Sequence, residues 1–207
     1  MRKLAIPQEL RGEFATVEAC WQCGGKTLRV DSLILAWVKF EKQLRRLFCF
    51  LIYQHPQINE PEIKKVVSLL ADNSKLYPET FIQGIDALGV KSVPDLLGGR
   101  HKELWADICR IKKYRNKLIH GQVTGQDIQI PQLEKDVIRI IEWVSCLSQA
   151  AEKEFGYDGI KRNTFRSAKS ASSIVVGNYP FNNVKEFNKW LENLTSNKAK
   201  KITQVTS

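Results

Sequence analysis

Two side chains near the middle of this chain have the right types to move a proton and hold a phosphate: Arg115 and His120, five residues apart in the string RNKLIHG. RNA can be cut without a metal if one group moves the proton of the 2′-hydroxyl while a cation steadies charge on the phosphate in the transition state. Histidine suits the first task because its ordinary pKa is about 6.5, and the planar guanidinium fork suits the second. Asn116 stands four residues before His120, on the same helical face.

The element that must carry these groups is a helix predicted over 102–119, with Gly121 just beyond it as a left-handed cap. Leu104, Ile108, Ile111 and Leu118 keep a 4,3 apolar rhythm along it, and continuing that rhythm from Ile111 puts Arg115 where an apolar residue belongs. A guanidinium at a core-type position costs desolvation energy unless something anionic meets it, and such breaks in local consistency are common at functional sites. The alternative is an Arg115 that snorkels to solvent or pairs with a carboxylate. Five residues along a straight helix turn through about 140°. Arg115 and His120 therefore share no face, and the length of the arginine, a distorted helix end or a second subunit must close the gap.

The surrounding pattern is all-α. A lead-in over 1–29 carries Leu10, Phe14 and Val17 at amphipathic spacing and ends at a Cys-Gly-Gly break. A long helix is expected from Asp31 or Ser32, either one a good N-cap, to about Gln54, where Pro56 follows. Further helices are expected from Asn59, from Pro78 to Leu88, and from Pro131 to Gly156, with a short turn around 94–97. Residues 157–207 are basic and rich in Ser and Asn, with an apolar run over 173–176 and one helix over 183–194. The expected organisation is a lead-in (1–29), a bundle of four to five helices (30–156) and a basic C-terminal extension (157–207).

The polar residue directly after Arg115, the Ile-His-Gly ending and the loop leading to a long final helix make this chain resemble the HEPN family, over about residues 30–156. The resemblance implies a compact HEPN-like bundle and a metal-independent endoribonuclease that needs no cofactor. Its products would carry a 2′,3′-cyclic phosphate and a 5′-hydroxyl. The resemblance also implies a homodimer whose two motifs face each other in one cleft, with Arg115, Asn116 and His120 at the catalytic positions. Some family members place an acidic residue on the first long helix near this pair, and Glu41 is the candidate; the alternative for Glu41 is an i,i+4 ion pair with Arg45. The resemblance further suggests a toxin of a toxin-antitoxin system or an antiviral defence effector, with a tRNA as one family-like substrate and an antitoxin or regulatory protein as a possible partner. Gln122 stands where some toxins of the family carry a tyrosine, which argues against control by modification of that residue.

A formal net charge of +10 over 207 residues makes an anionic partner the first idea to test. Arg110, Lys112, Lys113, Tyr114 and Lys117 surround the motif and could form an RNA-binding rim, although solvated helix faces have the same composition. Cys20 and Cys23 have the spacing of half a zinc ribbon, but no second pair with ligand spacing exists, so two unligated thiols are expected. His55 and His101 lie beside helix ends and are expected to be structural or surface residues. Five cysteines, an odd number, and the absence of an apolar run in the opening residues lead to the expectation of a cytoplasmic protein. The apolar stretch over 33–53 is broken by Lys39, Glu41, Lys42, Arg45 and Arg46, so no membrane span is expected. Two other readings stay open: a non-catalytic HEPN helper that binds a partner, and a basic helical module that binds RNA or DNA without chemistry.

Overall fold

The computed structural model describes residues 3–119, 128–161 and 178–196, and everything said of structure concerns these residues. They form helices and no strand: α1 (Arg11–Cys23), α2 (Lys26–Tyr53), α3 (Glu60–Asp72), α4 (Pro78–Ala87), α5 (Val93–Leu97), α6 (His101–Ile119), α7 (Ile130–Phe155) and α8 (Val184–Thr195), with 3-10 turns at Gln8–Leu10 and Gly98–Arg100. None of these helices is long and apolar enough to cross a membrane. The chain divides into two compact units, one formed by Met1–Gln43 and Pro94–Ala150, the other by Leu44–Val93 and Ala151–Ser207. α2 and α7 each contribute residues to both units.

In the first unit the lead-in supplies core. Leu10, Phe14, Val17 and Trp21 are buried, as the spacing of the first three requires of an amphipathic helix. The start of α2 differs from expectation. It begins at Lys26, directly after Gly24 and Gly25, both with positive φ, rather than at Asp31 or Ser32. The glycine pair reverses the chain at once, so no later N-cap is needed. Ser32 instead lies fully buried within α2 and donates its hydroxyl to the Val17 carbonyl at 2.9 Å, tying α2 to α1. Trp37 and Trp143 flank Phe40 edge-on, with ring centroids at 5.1 and 5.6 Å. These are the attractive geometries for aromatic pairs, and all three rings are buried.

In the second unit the described part of the C-terminal segment also builds core. Tyr157, Tyr179, Phe181, Phe187 and Leu191 are buried. Tyr157 stacks on Phe50 with centroids 4.6 Å apart, and the Tyr179 hydroxyl donates to the Leu51 carbonyl at 2.9 Å. The α8 helix starts where the sequence places it, with the Asn183 side chain accepting from the Glu186 amide as an N-cap. Asn59 caps α3 in the same way.

Gly84 of α4 is required by packing. A β-carbon there would stand 2.5 Å from the Phe48 ring and 3.1 Å from Leu194. Gly84→Ala should therefore destabilise the protein by about 1–3 kcal/mol, despite the higher helix propensity of alanine. Urea unfolding measures this, and unchanged stability would show that Phe48 can yield.

His55 is buried and accepts from the Gln57 amide at Nδ1. Burial lowers its pKa below the ordinary 6.5, only partly offset by a hydrogen bond with the Phe181 backbone and the charge of Glu186. The unfolded chain then binds the proton more readily, so stability is full above about pH 6.5 and falls as pH drops below it. His55→Gln should flatten this slope between pH 7 and 5, as read from unfolding midpoints across that range.

Candidate functional site

Along α6 the side chains of Leu104, Ile108 and Ile111 are buried as their rhythm demands. Arg115 continues the stripe with its side chain only 19% exposed, and its charge is met from α2. The guanidinium Nη2 lies 3.5 Å from Glu41 Oε1, and Cζ lies 5.2 Å from the centre of the Trp37 ring. Trp37 Nε1 donates to the same Glu41 oxygen at 2.7 Å, so one carboxylate aligns both the cation and the ring beneath it. Nη1 donates to Asn116 Oδ1 at 2.9 Å. Nε is buried and finds no partner among the described residues. The Glu41 contact is long for an ion pair and the ring contact is of a kind worth about 1 kcal/mol, so the head group is oriented without being locked.

Three of the four residues read as catalytic thus gather in the first unit: Arg115, Asn116 and Glu41. The fourth, His120, lies with Gln122 in the stretch 120–127, outside the described residues. Glu41 turns to Arg115, while the Arg45 guanidinium lies over Phe81 at 5.7 Å. The rim residues separate into two groups. Lys113 and Lys117 are exposed and Lys112 is half-buried. Arg110 and Tyr114 have their polar ends directed at Asp136 of α7, whose side chain is fully buried.

Asp136 accepts from Arg110 Nη2 at 2.6 Å, from Gln132 Nε2 at 2.7 Å and from the Tyr114 hydroxyl. Burial and the adjoining Asp136 charge push the Tyr114 phenol well above its ordinary pKa. The hydrogen bond to Asp136, reinforced by Asp107, raises that of Arg110. Asp136 was legible by the rule that singles out Arg115, for it stands between Leu133 and Ile140 on the buried stripe of α7. Nearby, Arg139 bridges from α7 to Asp107 at 3.0 Å and to Glu103, both on α6.

Cys20 and Cys23 are free thiols, and no group of three or more His, Cys, Asp or Glu able to hold a metal occurs among the described residues. His101 is half-buried and stacks near Trp105, with centroids at 6.3 Å; burial lowers its pKa. A groove of about 790 Å³ runs between α3 and α8 in the second unit, lined by polar residues such as Gln57, Asn59, Lys65, Asn183 and Lys185, and it contains none of the motif residues. No family model, characterised protein or solved structure matches this chain.

Proposed function

We propose that this protein is a metal-independent endoribonuclease of HEPN type, in which Arg115 binds the scissile phosphate and His120 transfers the proton. The 2′-oxygen attacks the adjacent phosphorus as its proton leaves, the bond to the 5′-oxygen breaks, and that oxygen is protonated. The products are a 2′,3′-cyclic phosphate and a 5′-hydroxyl. The observation that carries the proposal is the half-buried Arg115 head group, oriented by Glu41 and Trp37 with its Nε unpartnered, five residues before His120. A guanidinium held in place but incompletely bonded costs little to redirect to a phosphate.

Two exposed apolar residues accompany the cluster: Val38, three residues before Glu41, and Ile119, four residues after Arg115, each 47% exposed. They favour a second copy of the chain against this face, the homodimer that the family resemblance implies. A role as a toxin or phage-defence effector in the cytoplasm, acting on an RNA such as a tRNA under a protein regulator, rests on that resemblance. Glu41 aligns Arg115 in this proposal. Lys112, Lys113 and Lys117 attract the RNA backbone.

The test is cleavage of RNA by the purified full chain in excess chelator, beside Arg115→Ala and His120→Ala, with the product ends mapped. Equal cleavage by all three proteins would sink the active-site assignment, and loss of activity on chelation would sink the metal-free route. A non-catalytic helper is favoured by one observation, the engagement of Arg115 with Glu41, Trp37 and Asn116. In that case Arg115→Ala lowers stability and RNA stays intact with the wild type as well.

A further inference from the structure

We infer that Asp136 is a positioning residue for Arg115, fixing the last turns of α6 so that the guanidinium meets Glu41 and Trp37. Tyr114 and Arg115 are consecutive, and consecutive side chains on a helix diverge by about 100°. Tyr114 reaches α7, where its hydroxyl donates to Asp136, while Arg115 reaches α2, where Glu41 and Trp37 receive it. The end of α6 is thus braced at one level on two flanks by two different helices. Arg110, one turn earlier, binds the same carboxylate, so two successive turns of α6 hold to one buried point on α7. A single hydrogen bond would resist sliding and leave rotation free; two contacts a turn apart on one carboxylate resist both.

The brace lies just before the segment that matters. Residues 115–119 are the described part of α6 beyond Tyr114, and turns next to a buried anchor open less readily than turns that rely on backbone bonds alone. Asp136 is fully buried and accepts from Arg110, Tyr114 and Gln132, so its geometry is closely determined. Its hydrogen-bond partners among the described residues are Arg110, Tyr114 and Gln132 rather than Arg115, and it acts through Tyr114.

The cleavage half of this inference rests on the proposed endonuclease activity; the positioning half does not, and Trp37 reports on it independently. The Trp37 indole N–H donates to Glu41, the partner of Arg115, so its amide-region cross-peak senses where Arg115 lies. That peak is assigned by its loss in Trp37→Phe. In Tyr114→Phe and Asp136→Asn the Trp37 cross-peak is expected to shift or broaden, while Ile140→Val, a core change on the same helix, leaves it in place at the same temperature. Both brace variants should also lower kcat about tenfold with KM unchanged.

An unmoved Trp37 cross-peak in a folded Tyr114→Phe overturns the inference, and this variant decides alone should Asp136→Asn fail to fold. An equal shift in Ile140→Val overturns it too, since the effect would then be general loosening. If Arg115→Ala leaves cleavage intact, the assignment of Arg115 to the active site falls while the cross-peak still decides the role of Asp136.

Discussion

Arg115→Lys is expected to lose RNA cleavage nearly as completely as Arg115→Ala, each by about a thousandfold in kcat. The charge survives in the lysine variant, so a purely electrostatic role would predict a mild effect. The site asks for more than charge. Its cation lies over the Trp37 ring, with Nη2 near Glu41 and Nη1 on Asn116, and in the proposed reaction the planar fork turns from these partners to engage a phosphate through two donors at once. An ammonium is a point charge that cannot present two parallel donors in that plane, and it is more strongly hydrated. Glu41→Gln should act more weakly, by about tenfold, because the amide oxygen still receives the Trp37 indole N–H while the attraction to Arg115 is lost. Single-turnover rates under excess enzyme separate these effects from RNA binding. A lysine variant within a few-fold of wild type would remove the bidentate role of Arg115.

How much of this site the sequence discloses depends on how local each feature is. The rhythm of Leu104, Ile108 and Ile111 marks the inner face of α6, and the intrusion of Arg115 into it is visible from one helix alone. Glu41, the candidate that the family resemblance offers, stands 74 positions before Arg115 in sequence, and the ring under the guanidinium, Trp37, reads as plain core until its neighbour is known. Arg110 and Tyr114 resemble a nucleic-acid rim in sequence because basic and aromatic residues near a motif look alike whether they face solvent or a buried carboxylate. Only the pairing of α6 with α7 separates the two cases. The all-α class was legible from helical periodicity, whereas the sharing of α2 and α7 between the two units was not. Ser32 resembles an N-cap, yet it is an interior residue satisfied by Val17 across the interface, and the buried rings of the C-terminal segment are too widely spaced to register as core.

Asp136→Ala is expected to lower the unfolding free energy by about 2–4 kcal/mol at neutral pH, a large share of what holds a domain of this size together. The cost is unequal among the three donors it strands. Arg110 is 39% exposed and has Asp107 at 2.8 Å as a second acceptor, so its guanidinium can turn away without being left buried and unpaired. Gln132 is half-buried on α7 and has a route to water. Tyr114 has neither escape, because its residue is only 5% exposed and its hydroxyl points inward at the lost carboxylate. Most of the penalty therefore arises at that hydroxyl and at the small void left behind. A double-mutant cycle isolates it. If Tyr114→Phe costs about 1–2 kcal/mol alone, then adding it to Asp136→Ala should cost almost nothing more, giving a coupling of similar size. Full additivity of the two losses in urea titrations would mean that the Tyr114–Asp136 bond contributes no net stability, and that the brace at the end of α6 rests on Arg110 alone.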